Sequence, residues 1–535
     1  MTCFWVLWLL YNGLVMTYLT VPISAEDLEQ ARFQIKAAKA AGAEMLELRT
    51  DYLAGLGTEM VKELIAEVKQ GRRALPVIVT CRDKLQGGNR DYPIELRTGI
   101  LIEALKAGAE FIDFEYENFL RTESQEKIRV ALSRSLKGRL ILSAHNFKGK
   151  FSDIKKLHRH ILTLHPAAIP KLVYKAEHIN DCFDGFDLLR QTSGERIIFC
   201  MGQAGHASRI IAKKLGGFVS FAGLDEESAT APGQLTIKQM KKEYRWDSIN
   251  ADTELYGVAG SPVGHSLSPA VHNACFGDIE ANKLYLHLPV DGGREEFDAF
   301  FHKISVRSWL GFRGFSVTIP HKQNALNFVR QQNGYIEPLA EKIGAANTVV
   351  LTPDGQFRAY NTDYAGALDA ITSTLEIERD DLEQMSVAVI GAGGVARAIV
   401  AGLRDAGASV KIYNRTIKKA ADLANEFGCE FAPLNELPDI DASLVINCTS
   451  VGMHPDVEAS PLPEECLKKS MAVFDTVYNP AKTLLLTQAK KKRVKTIDGI
   501  SMFVNQAMAQ FKLFTGKDAN PKLMRRVVNK NLSQQ

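Results

Sequence analysis

The sequence carries almost no surplus of charge. Over 535 residues, 65 Lys and Arg stand against 62 Asp and Glu, a net charge of +3. That excludes a polybasic nucleic-acid binder and an acidic tail as organising features. Clustered cysteine is also lacking. Cys3, Cys81, Cys182, Cys200, Cys275, Cys429, Cys448 and Cys466 are scattered, with no CxxC pair and no histidine at zinc spacing. Neither a disulfide framework nor a metal site is indicated, and reduced thiols in a cytoplasmic protein are expected. Long apolar runs are missing beyond the first 25 residues. From Met1 to Ala25 no residue is charged, and Cys3–Leu10 is strongly apolar. Tyr11, Asn12 and Gly13 interrupt that run well short of the ~20 residues a membrane span needs. No Lys or Arg precedes it, as a secretory signal requires, and the Arg and abundant Ser of a transit peptide are absent. Residues 1–15 are therefore expected to be an extension ahead of a functional start at Met16, with a membrane anchor as the alternative.

What is present is an ordinary globular composition, 46% hydrophobic and 24% charged, long enough for two to four domains at ~100–200 residues each. In the front half, apolar runs of strand length alternate with amphipathic stretches of helix length. The strand candidates are 18–23, 44–48, 76–80, 111–115, 140–144, 170–174, 197–201 and 218–221. Helical patterns lie between them, such as 25–41, 58–69, 93–106 and 123–136. Eight such units in about 220 residues predict a (β/α)8 barrel over residues 16–245. A final helix and linker are expected over 238–253.

In such a barrel the C-terminal strand ends build the site. They carry Glu47, Arg49, Arg82, Glu115, His145 and Lys171, and the seventh βα loop carries Arg209. A lysine inside an apolar strand is costly unless it is used. Several Arg around it would lower its pKa. A neutral lysine amine condenses with a ketone, and the iminium acidifies the neighbouring C–H. His145 could move that proton, and a spare Arg suits a carboxylate. The residues alone predict a lysine-imine lyase or aldolase. Lys175, on the same strand face as Lys171, is the rival nucleophile.

Taken in order, Glu-Leu-Arg-x-Asp (47–51), Thr-x-Arg-x-x-x-x-Gly-Gly (80–88), Ser-x-His (143–145), Lys-Leu-Val (171–173), Met-Gly-x-x-Gly-x-x-Ser-Arg (201–209) and Ala-Pro-Gly-Gln (231–234) resemble type I 3-dehydroquinate dehydratase. The resemblance implies Lys171 as the imine lysine and His145 as general acid/base. It places Arg209 on the substrate carboxylate, lines the site with Glu47, Arg49, Arg82, Thr230 and Gln234, and needs no cofactor. Three positions depart from the family pattern. Gln86 replaces a Glu that partners the catalytic His, Asn146 replaces an Asp, and Thr230 replaces a Ser.

The rear half reads as a two-domain unit, 254–365 with C-terminal helices 500–535, and 366–499. Ser266 and Ser268 offer two hydroxyls ahead of a helix that has Pro269 in its first turn. A buried strand is expected to end in Thr318 and Lys322, and Asn347 and Asp363 punctuate later strand ends. These could surround a polar ligand or cap helices. The strongest local signal is a strand running into Gly391-Ala392-Gly393-Gly394-Val395-Ala396 and a small-residue helix. This arrangement seats a pyrophosphate on a helix N-terminus. The next strand ends in Asn414-Arg415-Thr416, not in an acid. A cation and hydroxyl there suit a 2′-phosphate, predicting NADP(H) over NAD.

With Asn-Cys-Thr449-Ser-Val-Gly-Met and a late Gly499…Met502…Gln506, this set resembles shikimate dehydrogenase. The resemblance implies Ser266, Ser268, Thr318, Asn347 and Gln506 on the substrate, with Lys322 and Asp363 as the catalytic pair. The whole chain thus resembles a bifunctional shikimate-pathway enzyme handling 3-dehydroquinate, 3-dehydroshikimate and shikimate, with no nucleic-acid or membrane partner. The alternatives are a quinate dehydrogenase fusion using NAD and a non-catalytic regulator that senses the same metabolites.

Overall fold

A computed structural model describes residues 16–71, 74–226 and 234–533. The chain divides into two compact units near Thr253.

In the first unit, eight parallel strands alternate with helices: β1 (Tyr18–Ile23), β2 (Met45–Arg49), β3 (Val77–Thr80), β4 (Phe111–Glu115), β5 (Arg139–Asn146), β6 (Ile169–Lys175), β7 (Ile197–Met201) and β8 (Val219–Phe221). Their order, β7-β6-β5-β4-β3-β2-β1-β8, is that of an almost closed (β/α)8 barrel. Each strand is covered on both faces, which is why these segments read as continuous apolar runs. Met45, Ile78, Phe111, Ile141, Ile169, Ile197 and Val219 fill the lower interior. Tyr18, Phe218 and Phe111 add edge-on ring contacts at 5.6 and 5.3 Å. The charged residues of the strands cluster above this plug.

β5 and β6 run three and two residues longer than expected, taking His145 and Lys175 into strands. The helix expected over 238–253 is a correction. It is a π-helical turn, Gln239–Glu243, followed by a 3-10 turn, Trp246–Ser248.

The second unit holds two sheets. The first is mixed, with order β10-β9-β11-β13-β14-β12. Its strands are β9 (Glu254–Gly260), β10 (Lys283–Pro289), β11 (Phe312–Val317), β12 (Tyr335–Ile336), β13 (Thr348–Leu351) and β14 (Phe357–Tyr360). The second is parallel, with order β17-β16-β15-β18-β19-β20. It comprises β15 (Ser386–Ile390), β16 (Ser409–Asn414), β17 (Glu430–Pro433), β18 (Leu444–Asn447), β19 (Ala472–Asp475) and β20 (Lys495–Ile497). Counted within that sheet, the order is 3-2-1-4-5-6, a doubly wound dinucleotide fold whose switch point lies between β15 and β18.

Helices Thr362–Leu375 and Gly499–Thr515 pack against each other and join the two sheets. Gly366 permits this contact, because a Cβ there would lie 2.7 Å from the Gln506 backbone nitrogen. The boundary expected between 365 and 366 falls inside the first of these helices. Lys322 is also corrected. β11 stops at Val317, and Lys322 opens the helix Lys322–Gln331.

Among the described residues, no helix is long and apolar enough to cross a membrane. None of their His, Cys, Asp and Glu form a group able to hold a metal ion.

Candidate active sites

At the barrel mouth, strand alternation turns Glu47, Asp113, Ser143 and Lys171 to the same interior. Ser143 is in register with Lys171, and Thr80 with Asp113. Lys171 is 5% exposed. Its Nζ lies 2.8 Å from Asp113 Oδ2 and 3.4 Å from Glu47 Oε1, and 4.5 Å above the Phe221 ring. Arg82 reaches the same Asp113 oxygen at 2.8 Å, bonds Glu115 at 3.2 Å, and donates to Ser143 Oγ at 2.6 Å. Ser143 in turn donates to Asp113 Oδ1 at 2.6 Å. Burial alone would raise the Asp113 carboxyl. Arg82 and Lys171 overcome it and hold the group far below the usual carboxylate range. Arg49 is tied to Asp51 by two hydrogen bonds, at 2.9 and 2.8 Å.

His145 stands at the end of β5. Burial, then Arg82 and Lys171, push its imidazole well below its ordinary value, so it is neutral at working pH. Its Nδ1 is buried and has no hydrogen-bond partner among the described residues. Gln86 Oε1 accepts from the His145 backbone N–H at 3.1 Å. Arg209 is 1% exposed and lies 4.5 Å over the Phe199 ring. Its Nε and one terminal nitrogen have no partner among the described residues. A fully buried guanidinium with idle donors marks a place for an anion. Lys175 is different. Its side chain is 49% exposed and paired with Glu177 at 3.6 Å. Gln234 is half-buried, and Thr230 lies outside the described residues.

In the second unit a cavity of about 360 Å³ is lined by Ser266, Ser268, Thr318, Lys322, Asn347, Asp363 and Gln506, together with Val395 and Gly499. Seven residues expected on the substrate or in catalysis, drawn from segments 240 positions apart, thus face one space. Lys322 Nζ sits 2.6 Å from Asp363 Oδ2. Asp363 Oδ1 accepts from Asn347 Nδ2 at 2.8 Å. Asn361 caps the helix that starts at Thr362, accepting from the Asp363 N–H and fixing Asp363 in the first turn. Ser266 Oγ accepts from the Ser268 N–H at 3.3 Å.

At the switch point the glycine turn fits a dinucleotide. Gly391 has φ +112°, and a Cβ there would press the Cys448 carbonyl at 3.1 Å. A Cβ on Gly393 or Gly394 would meet nothing within 4 Å. No side chain caps the helix Gly394–Asp405, so the N–H groups of its first turn, around Val395 and Ala396, are left for a phosphate. Ala392 is half-buried within this turn. Arg415 and Thr416 are exposed just past β16, and Asn414 Nδ2 donates to the Thr416 carbonyl at 2.9 Å. Thr449 donates to Asn447 Oδ1 at 2.7 Å, and Asn447 donates to buried Asp475 at 2.9 Å. Asp475 also accepts from Thr483 at 2.6 Å. Burial raises this carboxyl, which has only neutral donors around it.

Sequence reasoning missed Asp113, Ser316 and Gln510. One signal was available. Asp113 interrupts an apolar strand just as Lys171 does, and buried charges come in pairs. Gln510 gives no such signal, because a Gln on an amphipathic helix reads as surface.

A barrel with a buried lysine at its mouth, followed by a dinucleotide fold joined to a polar cavity, defines a two-site lyase–oxidoreductase. Comparison with known families agrees. The type I 3-dehydroquinase pattern matches residues 19–251. The shikimate dehydrogenase substrate-binding domain matches 258–349, shikimate/quinate 5-dehydrogenase 373–498, and the shikimate 5′-dehydrogenase C-terminal domain 499–528. A bifunctional 3-dehydroquinate dehydratase/shikimate dehydrogenase, chloroplastic, from Arabidopsis thaliana is 34% identical over 524 residues, covering 95% of this chain and 84% of that protein. An NADP(+) shikimate dehydrogenase from Methanocella arvoryzae is 43% identical over 274 residues, covering 49% of this chain and 93% of its own. A solved shikimate 5-dehydrogenase from Thermus thermophilus, in complex with NADP(H) and shikimate, is 33% identical. It covers 52% of this chain and 99% of its own at a TM-score of 0.46. The chain belongs to the bifunctional 3-dehydroquinate dehydratase/shikimate dehydrogenase family.

Proposed function

We propose that the two sites act in sequence on one carbocyclic acid: dehydration of 3-dehydroquinate to 3-dehydroshikimate in the barrel, then NADPH-dependent reduction to shikimate. In the barrel, Arg209 takes the substrate carboxylate, with Glu47, Arg49, Arg82, Gln234 and Thr230 around the ring. Lys171 Nζ attacks the ketone carbon. The carbonyl oxygen leaves as water and a C=N bond forms. Asp113, 2.8 Å from Nζ, and Glu47 fix the amine's direction. The iminium draws electrons from the adjacent C–H. His145, held neutral by its surroundings, accepts that proton and passes it to the departing hydroxyl, which leaves as a second water. Hydrolysis of the imine restores Lys171.

In the second site, Ser266, Ser268, Thr318, Asn347 and Gln506 hold the ring. The turn 391–396, Asn414, Arg415, Thr416, Thr449 and Gly499 would hold NADP(H), which supplies the hydride when bound. Lys322 meets the oxygen of the ketone with a positive charge and donates the proton that the new alkoxide needs. Asp363, 2.6 Å away, orients that ammonium and is itself held by Asn347.

One observation carries the reading. A single chain combines a 5% exposed lysine flanked by carboxylates with a Lys–Asp pair set in a polar cavity beside a glycine turn. The test is a coupled assay in which 3-dehydroquinate and NADPH are mixed with the chain and NADPH loss is followed. Lys171→Ala should abolish the coupled signal, and the reducible protein–substrate adduct, while sparing reduction of added 3-dehydroshikimate. Lys322→Ala should do the reverse, lowering kcat by roughly 10²–10⁴, the usual range for a general acid. Turnover through both steps in either variant overturns the assignment. We place the protein in the cytoplasm, where its seven described free thiols would stay reduced. Imaging of the full-length chain inside an organelle would overturn that.

A further inference from the structure

At the edge of the coenzyme turn lies a buried carboxylate that the reaction above does not use. Asp475 ends β19 and is fully buried. Its Oδ1 accepts from Asn447 Nδ2 at 2.9 Å and from the Val477 backbone N–H at 3.1 Å. Its Oδ2 accepts from Thr483 Oγ1 at 2.6 Å. All three donors are neutral, and no cation pairs with the group among the described residues.

These bonds do not require the charge. The Thr449 N–H, which can only donate, bonds Asn447 Oδ1 at 3.0 Å, so the Asn447 NH2 faces Asp475. An asparagine at 475 would accept from Asn447 and Val477 through its oxygen. Its NH2 would donate to Thr483, whose hydroxyl can turn. The same bracing is thus open to a neutral side chain. A buried, unpaired carboxylate is costly to keep, so its charge has a use outside the bracing.

Its surroundings show which use. Ile390, Asn447 and Asp475 are in register across β15, β18 and β19, two strands from the glycine turn. Cys448 stands between. Its carbonyl lies 3.1 Å from where a Cβ on Gly391 would be. Burial, then the Asp475 charge, push its thiol up. The charge is therefore felt at the wall of the coenzyme turn. Thr476, the next residue, lines the cavity that holds Lys322 and Gly499. A coenzyme ring that passes hydride to a ketone in this cavity has to reach that wall. The ring is neutral when reduced and positive when oxidised.

We propose that Asp475 is a counter-charge for the oxidised coenzyme. It tightens NADP+ over NADPH and so draws the bound equilibrium toward the alcohol. The proposal rests on the reading of 391–396 and Thr449 as the coenzyme site. A group shifts an equilibrium only by its differential interaction with the two states, and here the states differ by one unit of charge. Lys322, in the same cavity, is already matched by Asp363 at 2.6 Å, so that pair adds little net field.

The test is direct binding to the full-length enzyme, NADPH by its own fluorescence and NADP+ by calorimetry. In Asp475→Asn the ratio Kd(NADP+)/Kd(NADPH) should rise roughly 5–50-fold, the effect of one partly screened buried charge. The melting temperature without coenzyme should hold or rise, because a costly charge is gone. Asp475→Ala, which removes the bracing too, should weaken both forms and melt lower. Equal weakening of the two forms in Asp475→Asn reduces the residue to a brace and overturns the proposal. Should that variant fail to fold, the native enzyme supplies a second reading. With enzyme in excess, the quenched ratio of shikimate and NADP+ to 3-dehydroshikimate and NADPH should exceed the free-solution ratio. A ratio at or below it overturns the proposal. A native enzyme that binds neither coenzyme form defeats the site reading itself. Both forms bound, with an unmoved ratio in Asp475→Asn, defeats the counter-charge alone.

Discussion

Arg209 makes a prediction with two opposite signs. Replacing it by Met keeps the volume and removes the charge. Burial brings the guanidinium from 12.5 down to about 10, and at ~1.4 kcal/mol per unit that is about 3 kcal/mol against the folded state. The stack on Phe199 offsets about 1 kcal/mol, leaving about 2 kcal/mol gained on substitution. The folded pKa is depressed, so the penalty is complete below about pH 10 and fades as pH rises toward 12.5. At neutral pH the Arg209→Met protein should therefore be more stable without ligand. The barrel's melting transition should rise by about 4–8 °C, at ~2–4 °C per kcal/mol for a domain of this size. Function moves the other way. Two charge-assisted hydrogen bonds to a carboxylate, at ~1.5–3 kcal/mol each, set a loss of roughly 10²–10⁴ in dehydratase kcat/KM. Substrate should stabilise the native enzyme and leave the variant's melting point where it was. Calorimetry with and without substrate, beside steady-state kinetics, reads all three quantities. A variant that melts lower and keeps its KM refutes the view that this arginine keeps idle donors for the substrate.

Gln86→Glu would place a carboxylate beside His145 and favour the imidazolium, so the acid limb of the dehydratase profile should rise. An unchanged profile removes Gln86 from the story. Gly366→Ala would push a methyl group to within 2.7 Å of the Gln506 backbone. It should destabilise the second unit by about 1–3 kcal/mol and raise the KM for shikimate, with dehydratase activity as an internal control. Arg415→Ala should weaken NADPH binding by roughly 10–100-fold, the value of one charge-assisted contact, with little effect on NADH. Equal losses for both coenzymes would move the 2′-phosphate site elsewhere.

The alternating pattern made the barrel and the dinucleotide sheet legible because parallel strands buried on both faces leave unbroken apolar runs. β1, β4 and β7 have the expected bounds. The 238–253 stretch misled because Gln239–Glu243 has the composition of a helix while its hydrogen bonds follow a wider turn. Lys322 misled by a similar margin, since the boundary between strand and helix falls inside a continuous motif. In the sites, residues anomalous for their strand or tied to a glycine turn could be found. The buried pair Ser316 and Gln510 could not, because it links separate segments through uncharged groups whose individual settings are ordinary. Lys171 and Lys175 shared a strand face on paper. Only three-dimensional burial separates one enclosed by acids from one reaching solvent.

The helix Gly499–Thr515 starts beside the turn that suits the coenzyme, lends Gln506 to the cavity wall and ends against the first sheet. During synthesis it emerges after every strand of both sheets. A nascent chain halted just past Gly499 would thus own a finished dinucleotide layer and an open pocket. Capacity to bind the nucleotide would come first, and the grip on the ring acid would arrive only with the final stretch of translation.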